Sequence, residues 1–181
     1  MGSLAATVRE EKIRRFGSAA WRRSSAAIDE AWTRIEALAS SLPARLDGWR
    51  LYQDGLPICG REREIVEELA GHGSRNHRLL LALAERGAIL TGTESPALLL
   101  EELDQVRRQA AREPEAARAP APGAQDLLTR RDAFMAKRIG ETLPPGATGI
   151  LFVGALHDVA RFLPEEISVE VPLARRGGSG A

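Results

Sequence analysis

Apolar residues in this chain follow two rhythms, three- and four-residue steps and short continuous runs, and the two alternate along its length. Ile28, Trp32, Ile35 and Leu38 or Ala39 recur at helical spacing, and Ile13, Phe16 and Ala20 continue the stripe upstream. Residues 7–41 therefore predict an amphipathic helix or a broken helical pair, weakest at Gly17 and Ser24-Ser25 and ended by Pro43. Leu46 to Gln53 predicts a strand around Trp49, Leu51 and Tyr52, and Asp54-Gly55-Leu56-Pro57 a turn. Glu62 to Ala70 reads as a short helix burying Ile65, Val66 and Leu69, broken by Gly71 and Gly73. Ser74 is a natural N-cap for a helix over Arg75 to Arg86, with Leu79, Leu80 and Leu83 inward and Gly87 as its C-terminal stop.

The alternation continues to the C-terminal end. Ala88 to Thr93 predicts a second strand, and Ser95-Pro96 starts a helix that Leu98, Leu99, Leu103 and Val106 carry to about Ala111. The proline- and alanine-rich stretch 113–123 reads as a mobile loop. Gln125 to Leu143 is helical, with Leu128, Phe134 or Met135, and Ile139 inward, up to Pro144-Pro145-Gly146. Gly149 to Gly154 is the strongest strand signal: Ile150-Leu151-Phe152-Val153 is the run expected of a strand covered on both faces. Ile167 to Val171 alternates like an edge strand. Strands alternating with helices define an α/β fold with a small, mostly parallel sheet flanked by helices, preceded by an N-terminal amphipathic helix. The domain plan is a helical segment over 1–45, an α/β domain over 46–173 and a flexible tail over 174–181.

Composition narrows the function. Hydrophobic residues make up 44% and charged residues 28%, the balance of a chain with a packed core. The 25 basic residues equal the 25 acidic ones, which argues against a nucleic-acid or polybasic membrane surface. No apolar run reaches the length of a membrane helix. The lone Cys59 excludes an internal disulfide, and with no signal-like start it points to a reducing cytoplasm.

In open parallel sheets, ligands bind beyond the carboxyl ends of the strands. The predicted exits there carry Gln53 and Asp54, then Glu94, then His157 and Asp158. Two carboxylates and an imidazole on neighbouring strands would suit general acid–base chemistry or a divalent metal. Each also has a plain structural reading. Asp54 suits a turn, Glu94 interacts favourably with a helix start, and Asp158 caps a short helix at 159–163. Arg131, one helical turn before Met135, sits beside an apolar stripe and calls for an anionic partner: Glu94, Asp158 or a ligand. His72 and His77 flank a glycine-rich break and read first as a solvated turn, then as a two-histidine metal site. Cys59 reads as a small, semi-buried residue. No phosphate-binding glycine loop and no Gly-x-Ser-x-Gly elbow is present.

The stretch Arg131-Asp132-Ala133-Phe134-Met135-Ala136-Lys137-Arg138-Ile139, followed after a gap by Gly149-Ile150-Leu151-Phe152-Val153-Gly154-Ala155-Leu156-His157, resembles the superfamily of erythromycin-esterase-like, ChaN-like and TraB/GumN-type proteins. Those proteins place Arg-Asp or Arg-Asn and Met-Ala on a helix before an apolar strand ending in Gly and His, and Ala88 to Glu94 resembles their strand that ends in glutamate. The resemblance spans residues 79–163 and implies an α/β fold with a polar site built from Glu94, Arg131 and His157. Where those families open with Gly-Glu-x-His or Gly-x-x-His, this chain has Leu51-Tyr52-Gln53-Asp54-Gly55-Leu56-Pro57, without histidine.

The expectation is a small cytoplasmic enzyme of hydrolase type, with Glu94, His157 and Arg131 as catalytic groups and Gln53, Asp54 and Asp158 binding a small-molecule ligand. A divalent metal is the conceivable cofactor. The alternative is a non-catalytic ligand-binding or regulatory module that uses Arg131 for an anionic group. An assembly role, as a homo-oligomer joined through the N-terminal helix, is the third reading.

Overall fold

A computed structural model describes residues 18–111 and 122–173. The expected loop at 113–123 and the expected tail at 174–181 fall almost wholly outside the described residues, as does the upstream part of the N-terminal stripe. The chain divides between Pro43 and Ala44 into two compact units. The first contributes helix α1, Ser18–Ser41. Along it Trp32 and Ile35 are half-buried, but Ile28, expected on the same apolar face, is exposed.

The second unit carries the alternating pattern: β1 (Arg50–Gln53), α2 (Glu62–Gly71), α3 (Arg75–Glu85), β2 (Ile89–Leu90), α4 (Pro96–Ala110), α5 (Ala124–Thr142), β3 (Gly149–Phe152) and a 3-10 turn at Val159–Phe162. The sheet is all parallel in the order β2-β1-β3. β1 is central, and Leu51, Tyr52 and Gln53 are all buried. β3 is an edge strand. Its residues Ile150 to Phe152 are half-buried and Val153 is exposed, so the apolar run is not covered on both faces. Residues 167–171 form no strand; Ile167 closes a turn onto Pro164, and Val169 and Val171 are exposed. An alternating pattern only folds as a strand where a sheet edge accepts its ladder, and this segment has none.

Local chemistry sets the element boundaries. α2 starts where Glu62 Oε1 accepts the backbone N–H groups of Cys59 and Gly60, at 3.0 and 3.1 Å. α3 begins at Ser74, whose side chain caps the amide of His77. It ends in a Schellman arrangement: Gly87, at φ 104, donates to the carbonyl of Ala84, and Ala88 donates to that of Leu83. α4 opens on Ser95 as N-cap with Pro96 following. Alternation along β1 sends its side chains to two faces. Tyr52 goes into a cluster with Met135, Ala136 and Ile139 of α5 and Val159 of the 3-10 turn. Its hydroxyl meets Thr142 Oγ1 at 3.0 Å. Gln53 goes the other way, toward α3. Leu69, Leu103 and Val106, expected inward, are exposed.

Among the described residues no helix is long and apolar enough to cross a membrane.

Candidate functional site

The parallel order puts the exits of β1, β2 and β3 on one edge, and an isolated bridge between Pro57 and Glu94 extends the β1–β2 pairing past the strands. Two adjacent pairs of residues then knit the edge together, Asp54-Gly55 after β1 and Arg131-Asp132 within α5.

Glu94 and Arg131 form the buried half. Glu94 is wholly inaccessible, and Arg131 retains 6% of its side-chain surface. Arg131 Nε and Nη2 donate to Glu94 Oε1 at 3.1 and 2.5 Å, and the N–H of Gly55 donates to the same oxygen at 3.3 Å. Arg131 Nη1 donates to Glu102 of α4. Burial pulls the guanidinium pKa down. The hydrogen bonds and charge of Glu94, with the charges of Glu102 and Asp54, outweigh it, and the net direction is upward. Arg131 is thus neutralised by protein carboxylates and has no charge to spare for an anionic ligand. Glu94 Oε2 is buried without a protein partner.

His157 forms the second half. Its side chain is 7% exposed and that of Asp132 is 5% exposed. Nδ1 lies 2.5 Å from Asp132 Oδ1, and the other Asp132 oxygen accepts the N–H of Asp158 at 2.8 Å. A carboxylate only accepts, so the short Nδ1 contact requires the proton on Nδ1. Nε2 faces Asp54 Oδ2 at 3.5 Å, beyond normal hydrogen-bond length. Asp54 Oδ2 itself accepts the N–H of Gly154 at 2.8 Å, which ties the β1 exit to the β3 exit. At 29% exposure, Asp54 is the part of this half that reaches solvent.

The expected site residues therefore divide. Asp54, Glu94, Arg131 and His157 are brought to one edge through direct contacts. Asp158 contributes its backbone N–H, while its side chain is exposed and makes no cap bond to the 3-10 turn. Gln53 leaves by the opposite face of β1, where its Nε2 meets His77 Nε2 at 3.4 Å. His77 Nδ1 in turn lies 2.6 Å from Ser74 Oγ. His72 is exposed at the end of α2, so the two histidines do not form a shared site. Cys59 is exposed rather than semi-buried.

Sequence reasoning missed Asp132 and Glu102. The first had a signal, since it directly follows Arg131 in the motif; Glu102 had none, because only the packing of α4 on α5 brings it to the guanidinium. Among the described residues no group of three or more His, Cys, Asp or Glu side chains is arranged to hold a metal ion. At His157 the ring stands between the two carboxylates, with Nδ1 toward Asp132 and Nε2 toward Asp54.

In comparisons with known proteins, the chain matches no family model, no curated protein and no solved structure.

Proposed function

We propose that the carboxyl edge is a hydrolytic site in which His157 is the general base. The observation that carries this reading is the 2.5 Å contact between His157 Nδ1 and Asp132. It fixes the tautomer, leaves the Nε2 lone pair directed at the partly exposed Asp54, and gives the imidazolium formed on proton uptake a buried counter-charge. At 3.5 Å, Nε2 and Asp54 Oδ2 stand too close for a water to fit between them, so the water or substrate hydroxyl that Nε2 accepts from approaches beside the pair, on the solvent side of the partly exposed Asp54. Such a water loses its proton to Nε2 as it attacks an electrophilic centre. Glu94 Oε2, buried and without a protein partner, is the second acceptor at this edge. Arg131 is a positioning residue: clamped by Glu94 and Glu102, it holds α5 and hence Asp132 in register with the strand exits.

The distant resemblance to erythromycin-esterase-like, ChaN-like and TraB/GumN-type proteins agrees in naming Glu94, Arg131 and His157. The binding-module alternative rests on a free arginine charge, and the ion pairs of Arg131 weigh against it.

The test is a panel of p-nitrophenyl carboxylate, phosphate and glycoside substrates. The expectation is turnover of at least one member, lowered about 100-fold or more by His157→Gln and by Asp132→Asn. Equal turnover in both variants, or none by the parent protein on any member, refutes the assignment.

A further inference from the structure

The opposite face of the β1 exit carries a second chain of polar contacts, separate from the His157 site. Ser74 Oγ lies 2.6 Å from His77 Nδ1, and His77 Nε2 lies 3.4 Å from the side-chain amide of Gln53, which crosses over from β1. We propose that Ser74 is a nucleophile activated by His77, oriented in turn by Gln53, and that it accepts acyl groups from ester-type donors. A hydroxyl, a base within hydrogen-bond reach and a third group that orients the base make up the arrangement that nucleophilic catalysis needs.

A helix cap alone does not require this. Ser95 caps α4 with nearly the same backbone, φ -70 and ψ 122 against φ -65 and ψ 116 at Ser74, and accepts the N–H of Leu98 at 3.4 Å. Ser74 accepts its own cap N–H at 3.5 Å, yet its closest partner is the imidazole.

The amide of Gln53 supplies the independent sign of a ligand. Gln53 is 6% exposed, and its Oε1 has no partner. The oxygen and nitrogen of an amide are assigned by their contacts. Turned over, Oε1 accepts the proton of His77 Nε2 and leaves Nδ1 free to take the serine proton. In either orientation one atom of a buried amide beside the ring is left for a ligand. Burial also pushes the His77 imidazole below its ordinary value, which keeps it the neutral form that a base requires.

In the reaction, Ser74 Oγ attacks the acyl carbon and its proton passes to His77 Nδ1. The bond from that carbon to the leaving oxygen breaks, and the leaving group takes the proton from His77. The N-terminal end of the α3 dipole, whose first turn carries no acidic residue, favours the negative charge of the oxyanion.

The experiment treats the full chain with diisopropyl fluorophosphate and maps the adduct by peptide mass. The expected result is an adduct on Ser74 formed about 100-fold faster than on Ser95, reduced to the Ser95 rate by His77→Gln and slowed by Gln53→Met. Ser74→Asp keeps a cap and loses the adduct, with circular dichroism confirming the fold. Labelling of Ser74 no faster than Ser95, or unchanged by His77→Gln or by Gln53→Met, overturns the proposal.

Discussion

Replacing Arg131 by methionine isolates what the buried ion pair contributes. The substitution keeps an unbranched side chain of similar length but leaves Glu94, with no solvent exposure, facing only the N–H of Gly55 at 3.3 Å. Glu102 suffers less, because 44% of its side chain remains in contact with solvent. Breaking a buried pair by removing one partner costs about 3–5 kcal/mol, most of it the desolvated charge left behind. For a domain of this size each kcal/mol moves the melting temperature by roughly 2–4 °C, so a fall of about 6–20 °C is expected. Removing the second charge as well, in Glu94→Gln with Arg131→Met, relieves that penalty, and the double variant should be more stable than Arg131→Met alone. Urea unfolding followed by circular dichroism closes the cycle. A single-variant cost below about 1 kcal/mol, or a double variant whose loss is the sum of the two single losses, refutes the claim that the pair is desolvated and coupled.

Other outcomes follow from the same geometry. The chain's single tyrosine, Tyr52, is raised above its usual range by burial against the opposing effects of Thr142, Arg50 and Arg138, so its absorbance titration should run above pH 10 in the folded protein and return to the ordinary range in urea. Gly92→Ala should destabilise at or above the upper end of about 1–3 kcal/mol, read by thermal melting, because the new Cβ would meet Ile58 Cα and the Pro57 carbonyl, both at 2.9 Å. Burial depresses the His77 pKa in the folded state, so below the ordinary value of 6.5 the unfolded chain binds more protons. Its stability contribution is therefore full above that pH and is lost as pH falls through the folded pKa; His77→Gln should flatten this part of a denaturation profile, and an unchanged slope counts against it.

The sequence announced the strand exits better than it announced the strands. Helical periodicity, Ser74, Ser95-Pro96 and Gly87 are local signals, and α2 to α5 start and stop within a residue or two of where those signals lie. Strand length is a matter of pairing. β2 keeps only Ile89–Leu90, because its ladder with β1 runs for just that pair, and β3, which the apolar run suggested was covered on both faces, lies at the edge of the order β2-β1-β3. The alternating segment at 167–171 has the composition of a strand and no ladder to join. The same contrast separates the parts of the site. Asp54, Glu94 and His157 were legible because each follows an apolar run, and Arg131 because a charge beside an apolar stripe needs a partner. Whether that partner was Glu94, Asp158 or a ligand depended on the packing of α5 across the sheet.

That packing also explains why one strand exit contributes to two separate polar clusters. Consecutive residues of a strand point to opposite faces, so Gln53 and Asp54, neighbours in sequence, part at the end of β1. Gln53 meets His77 on the side of α3, and Asp54 meets His157 on the side of α5. A sequence reading that assigned both residues to one ligand could not see the division, because position along the chain carries no record of which helix covers which face. The two histidines differ accordingly in what surrounds them. His157 stands between two carboxylates, Asp132 and Asp54; His77 stands between an amide and a hydroxyl, neither of which carries charge. The first environment suits a base that activates water beside a counter-charge, and the second suits a base that stays neutral until a serine hydroxyl yields its proton.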